Sequence, residues 1–190
     1  MRAINVLLVD DQLSSLIALE EILATLDANL IKASSAKQAL RFLIEEDIDC
    51  ILLDVSMPEM DGFEFLQTMK KAPAHAGIPV IMVTGKIFSE NETLRAYQSG
   101  AVDFLLKPLD ADVVYRKVSF FVNQSRQVKC LASIEKTLKK LPGEIVELLK
   151  QVQTEAGLAS DVRLQNAIAS LSELYKTWRS FRNEKDLLDL

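Results

Sequence analysis

Two hydrophobic periods alternate along the first two-thirds of the chain. Residues 3–9 (AINVLLV) form a short apolar run that stops at Asp10-Asp11, and similar runs occupy 29–33, 50–53, 79–83 and 103–106. Each is short and bounded by polar or turn residues, so each predicts a strand. Between them the spacing becomes helical. Leu13, Leu16, Ile17, Leu23 and Leu26 share a stripe over 13–26. Ala36, Ala39, Leu40, Leu43 and Ile44 do so over about 36–46, with Ser35 placed to cap. A helix over about 63–71 is expected to close at Pro73, and one over about 90–99 to stop at Gly100 in a C′ position. Asp110 can cap the next.

Five nearly continuous apolar strands alternating with helices are buried on both faces, as in parallel sheets. The pattern predicts an α/β sandwich with right-handed crossovers. In such sheets the site lies outside the carboxyl ends of the strands. Those ends carry Asp10, Asp11, Asp54, Thr84 and Lys107.

The last third reads differently. From Asp112 to Leu141 there is no Pro or Gly, and Phe121, Val128, Leu131, Ile134, Leu138 and Leu141 lie near one stripe. The final four step by 3, 4 and 3, a coiled-coil-like rhythm. Pro142-Gly143 is expected to break this helix. A second helix is predicted over 144–155 with Ile145, Leu148, Leu149 and Val152 on one face, and a third over 161–182 with Leu164, Ile168, Leu171, Tyr175 and Trp178. Gly157 and Ser160-Asp161 mark the turn between them. The division expected is 1–122 for the α/β domain and 123–190 for an all-helical C-terminal extension.

Charge sharpens this division. Residues 1–122 hold 11 Lys/Arg against 18 Asp/Glu, a net −7, whereas residues 123–190 hold 11 against 9, a net +2. So weak a basic excess does not favour a nucleic-acid domain. Cys50 lies in an apolar run and Cys130 in a helical one, without ligand-like neighbours, so a reduced setting is expected. No signal pattern opens the chain and no run approaches the ~18 apolar residues of a membrane span. The expected location is the cytoplasm.

The chemistry lies in the strand ends. Asp10, Asp11 and Asp54 crowd like charges, which repel unless one protonates or a cation binds. A hard cation with oxygen ligands resolves the crowding, and Mg²⁺ fits best. With it bound, a carboxylate oxygen of Asp54 can attack a phosphoryl group, as in other acyl-phosphate chemistry. Lys107 adds a positive charge, Thr84 offers a hydroxyl to a phosphoryl oxygen, and Gly85 keeps the approach open.

The segments VLLVDD (6–11), ILLDVSMPEMDGFEF (51–65), VIMVTG (80–85) and GAVDFLLKPLD (100–110) resemble the hallmarks of two-component response-regulator receiver domains over about residues 3–122. The resemblance implies a flavodoxin-like five-stranded parallel sheet of order 2-1-3-4-5 with helices on both faces. It implies that Asp54 takes phosphate from a phosphohistidine of a sensor histidine kinase or phosphotransfer protein. Asp11 would then bind Mg²⁺ directly, Asp10 through water, and the backbone carbonyl of Ser56 would complete the protein ligands. Thr84 and Lys107 would contact the phosphoryl group. Phe104 occupies the place of a switch aromatic that turns inward as Thr84 moves. Ser56 and Lys86 occupy the two positions that tune phosphoryl lifetime.

The output is narrowed by exclusion. The only histidine is His75, in a loop of the α/β part, so the extension lacks the phosphorylated histidine of a phosphotransfer domain. It also lacks a Gly-rich phosphate loop. Beyond its own phosphoryl transfer and dephosphorylation, no enzymatic activity is expected. The favoured reading is a helical module for homodimerisation through residues 112–182 or for docking a downstream protein. A DNA-binding helix-turn-helix, with Arg163, Gln165 and Asn166 as readers, is a less favoured alternative. A third is the N-terminal part of a larger receiver-output enzyme, such as a cyclic-dinucleotide or kinase protein.

Overall fold

The computed structural model describes residues 3–85, 97–155 and 162–185. Its strands are β1 (Asn5–Val9), β2 (Asn29–Ala33), β3 (Cys50–Asp54), β4 (Val80–Thr84) and β5 (Asp103–Leu106). Its helices are α1 (Leu13–Ile22), α2 (Ala36–Glu45), α3 (Gly62–Lys70), α4 (Pro73–Ala76), α5 (Ala111–Glu155) and α6 (Val162–Lys185). Every strand pairing is parallel, and the order is β2-β1-β3-β4-β5. The flavodoxin-like order anticipated from the motifs is the one observed.

Alternation along the strands builds two cores, one on each face. Leu7, Val9, Ile51, Leu53, Val80 and Met82 pack with Ala39 and Leu43 of α2 and with Phe65, Leu66 and Met69 of α3. Val6, Leu8, Cys50, Leu52, Ile81 and Val83 pack with Leu16 and Leu19 of α1 and with Val114, Val118 and Val122 of α5. Burial pushes the Cys50 thiol up to about 12, the behaviour of a core residue. Leu13 and Ile17, counted on the apolar stripe of α1, are exposed, and Leu19 is buried in their place.

Local signals set the helix ends. Ser35 Oγ accepts from Gln38 N–H at 3.2 Å. Asp110 Oδ1 accepts from Val113 N–H at 3.1 Å, capping α5 as expected. Asp61 and Glu64 form a reciprocal capping box at the start of α3. Gly100 has φ +95°, the left-handed conformation that suits its place after Tyr97 and Gln98. The remainder of the helix expected over 90–99 lies outside the described residues.

The helix before Pro73 ends as expected, with α3 stopping at Lys70, and Pro73 also opens α4, because proline is pre-organised for a first helical position. One expectation is corrected. Pro142-Gly143 does not divide the extension, since α5 runs unbroken for 45 residues through it. Proline removes one intrahelical hydrogen bond and strains the turn before it, which kinks a long helix more readily than ending it.

The chain forms two compact units, Met1–Lys129 and Cys130–Leu190. In the first, α5 continues past residue 122 and grips the N-terminal edge of the sheet. Ser125 Oγ donates to Asp49 O at 3.2 Å, and Arg126 donates to Asp27 O at 2.7 Å. Lys129 Nζ donates to the buried Asp49 Oδ2 at 2.6 Å, which also accepts from Asn5 N–H at 2.9 Å. In the second unit, Val146 of α5 and Ile168 of α6 are buried.

Candidate functional site

Parallel register brings the strand ends to one edge. Val9 pairs with Leu53, Asp54 with Val83 and Thr84 with Leu106. Asp10 follows β1, Asp54 ends β3, Thr84 ends β4 and Lys107 follows β5. Lys107 N–H donates to Thr84 O at 2.8 Å, which ties its backbone to the end of β4. The Lys107–Pro108 peptide is cis.

The side chains close the arrangement. Lys107 Nζ donates to Asp54 Oδ1 at 2.7 Å and to Asp10 Oδ2 at 2.8 Å. Each carboxylate keeps its other oxygen on its own turn. Asp54 Oδ2 accepts from Ser56 N–H at 2.7 Å, and Asp10 Oδ1 accepts from Gln12 N–H at 2.9 Å. Asp10 and Asp54 are only 1% and 4% exposed, so the lysine is their main compensating charge. Burial pulls the Lys107 ammonium down, but hydrogen bonds and charge from Asp10 and Asp54 outweigh it and hold its pKa above the ordinary lysine value.

Of the residues picked from sequence, Asp10, Asp54 and Lys107 meet directly, and Thr84 is buried beside them. Asp11 and Ser56 stand at the exposed rim. Among the described residues, a Cβ built on Gly85 would meet nothing within 4 Å. Phe104 is half-buried on β5, against the core shared with α2 and α3. Its ring lies edge-on to Tyr97 at 6.2 Å, and Lys117 Nζ sits 5.9 Å from its centroid. Lys86 lies outside the described residues.

Among the described residues no group of three or more His, Cys, Asp or Glu side chains is gathered to hold a metal ion. The donor chemistry nevertheless suits a hard cation. Two carboxylates converge on one cationic nitrogen, and their combined charge of −2 is only half met by it, with Asp11 next in the chain.

One positioning residue escaped the sequence reading. Gly62 lies within the segment ILLDVSMPEMDGFEF, and no role is expected for it from sequence. Its N–H donates to Val55 O at 3.0 Å, and a Cβ there would lie 2.6 Å from Asp54 O and 2.9 Å from Val55 Cα. The glycine lets α3 start directly against the backbone of Asp54. The only signal was its place two residues after Met60, in the segment following Asp54.

Similarity to known proteins agrees with this geometry. The family model for the response regulator receiver domain matches residues 6–119. A probable cyclic di-GMP phosphodiesterase of Vibrio cholerae is 35% identical over 122 residues, covering 64% of this chain and 27% of its own length. The cyclic di-GMP phosphodiesterase response regulator RpfG of Xanthomonas campestris is 29% identical over 168 residues, covering 84% of this chain and 44% of its own. The crystal structure of a CheY-like receiver domain protein from Methanospirillum hungatei superposes with a TM-score of 0.60 at 25% identity, covering 66% of this chain and 98% of that one. The chain thus spans about a quarter to under half the length of these two curated relatives. They also correct the expectation that no enzymatic activity accompanies this kind of chain: both relatives carry phosphodiesterase in their names. That expectation rested on motifs absent from the extension, and such motifs need not lie in the part of an enzyme that matches a receiver.

Proposed function

This chain belongs to the response regulator receiver family of two-component signalling, and on that premise we propose that Asp54 is its phospho-acceptor. Receiver domains interact with histidine kinases or phosphotransfer proteins and generally use Mg²⁺. The observation that carries the proposal is the pairing of buried Asp54 and Asp10 on the single ammonium of Lys107.

In the proposed reaction an Asp54 carboxylate oxygen attacks the phosphorus of a partner phosphohistidine. The new P–O bond forms as the P–N bond breaks, and the imidazole leaves. Ser56 N–H holds Oδ2 and Lys107 holds Oδ1, so the carboxylate is fixed before reaction. Asp10, Asp11, Asp54 and the carbonyl of Ser56 would hold Mg²⁺, which supplies charge neutralisation at the transferring phosphoryl oxygens. Lys107 and the hydroxyl of Thr84 contact that group, and Phe104 responds to the movement of Thr84. Ser56 and Lys86 set the lifetime of the acyl phosphate. Residues 1–122 form the receiver and residues 123–190 its helical output region, with a homodimer through residues 112–182 and a cytoplasmic location. Among the described residues no helix is long and apolar enough to cross a membrane.

Intact mass after incubation with Mg²⁺ and a small phosphodonor tests the assignment. Wild type should gain one phosphoryl group and Asp54→Asn none. Equal uptake by both proteins removes Asp54 from the role.

A second reading concerns the output. The alignment with RpfG covers 84% of this chain, so it extends past the receiver match into the helical region. This favours residues 123–190 as the connection between a receiver and an enzyme acting on a cyclic dinucleotide. The genomic reading frame downstream of Leu190 tests it: a continuing hydrolase frame supports it, and a stop codon at that point ends it.

A further inference from the structure

The unbroken course of α5 creates a pattern that a helix ending at Pro142 would not have. Leu131, Ile134, Leu138, Leu141, Ile145, Leu148 and Val152 step by 3, 4, 3, 4, 3 and 4 on one helix. Read as two helices these were two unrelated stripes. On one helix they are the a and d positions of three successive heptads, all apolar, over about 33 Å. A strict 3.5-residue repeat drifts around a straight helix unless the helix supercoils with another, so its persistence calls for a helical partner.

Among the described residues, α6 of the same chain does not cover this seam. Within this unit α6 approaches a different face of α5. Val146 and Ile168 are buried there, and a Cβ on Gly143 would lie 3.5 Å from Tyr175 Oη. On the seam itself Leu131 is 67% exposed, Ile134 50%, Ile145 46% and Leu148 59%.

We propose that a second copy of this chain covers the seam, so that α5 helices from two chains form a coiled coil between residues 131 and 152. Charge favours self-pairing. The lysines of this stretch, Lys136, Lys139, Lys140 and Lys150, fall at b, c and f positions in this register, away from the seam. The e and g positions carry only Glu135 and Glu144 as charges. In a parallel pair, where g faces e of the next heptad, Glu135 meets Cys130 and Glu144 meets Leu149, so no like charges meet. Leu131, Ile134, Ile145 and Leu148, all exposed and uncharged, form a self-complementary surface of the isologous kind.

This deepens the dimer reading of the helical region and does not depend on Asp54. Sedimentation velocity of the full chain tests it, with far-UV circular dichroism and phosphoryl uptake at Asp54 followed on the same samples. Wild type should sediment with the mass of two chains at micromolar concentration. Ile134→Lys combined with Leu148→Lys should shift it to one chain while helicity and phosphoryl uptake persist. Ile44→Lys, at an exposed position of α2, should remain a dimer. If the double substitution lowers helicity, the single Leu131→Lys replaces it and should still weaken the dimer at least tenfold. A one-chain mass for wild type, which would mean a different partner, overturns the proposal. So does a dimer that persists with its seam charged. Loss of phosphoryl uptake in an otherwise dimeric wild type would instead strike the Asp54 assignment.

Discussion

Lys107 Nζ stands 2.7 Å from Asp54 Oδ1 and shares its remaining hydrogen-bonding capacity with Asp10, so one ammonium serves two buried carboxylates. Lys107→Met removes that charge and leaves two like charges side by side. Breaking such a buried pair typically costs about 3–5 kcal/mol. Urea unfolding at neutral pH should show a loss at or somewhat below this range, since Lys107 retains partial exposure.

The same lysine gives a pH signature. Its folded pKa is raised above the unfolded value of about 10.4. Its stabilising contribution is therefore fully present below that value and is lost as pH rises through the folded pKa. The stability difference between wild type and Lys107→Met should be constant near neutrality and shrink in strongly alkaline solution. A difference that grows with alkalinity would contradict the charge pairing.

Gly62→Ala should damage both stability and reaction. Its Cβ would fall 2.6 Å from the carbonyl oxygen of Asp54, a contact with backbone that cannot swing away. Overpacking of this kind costs about 1–3 kcal/mol. Denaturant unfolding should report that loss, and the rate of phosphoryl uptake from a small donor should fall because Asp54 is displaced.

The hold of α5 on the sheet edge predicts where the receiver ends as a folding unit. A chain of residues 1–129 should be more stable than one of residues 1–122, because only the longer one keeps Lys129 on the buried Asp49 and Arg126 on Asp27. Within the full chain, Lys129→Ala should destabilise by about 1–3 kcal/mol by leaving the Asp49 carboxylate poorly compensated. Equal stability of the two truncated chains would mean that these contacts contribute little.

The two cysteines should react differently. Cys50 is buried with its thiol pushed up to about 12, whereas Cys130 is half-buried on α5. Since the thiolate is the reactive form, mass spectrometry of the native protein after brief alkylation at neutral pH should show one adduct, at Cys130. Denaturant should raise the count to two.

Much of the fold was legible because its signals are local. Apolar runs of strand length, Ser35 and Asp110 as caps, and Gly100 with its positive φ each act within a few residues. The strand-end rule selects Asp10, Asp11, Asp54, Thr84 and Lys107 from the chain alone, and of these Asp11 stands at the exposed rim, outside the ion pairs of Lys107. Pro142 is a helix breaker only locally, and the helix on either side carries α5 through it. Gly62 was missed because its constraint comes from the Asp54 backbone, eight residues away in sequence.

Sequence by itself determined the alternation of strands and helices, the residues at the strand ends and the kind of chemistry they support, since period and residue type are properties of the chain. Tertiary structure alone decided that Lys107 reaches both Asp54 and Asp10, from positions 53 and 97 residues apart in sequence. It also decided that α5 stays whole and so brings two separate stripes into one heptad register. Both are settled by how distant segments meet in space, where the parallel sheet fixes which strand ends become neighbours.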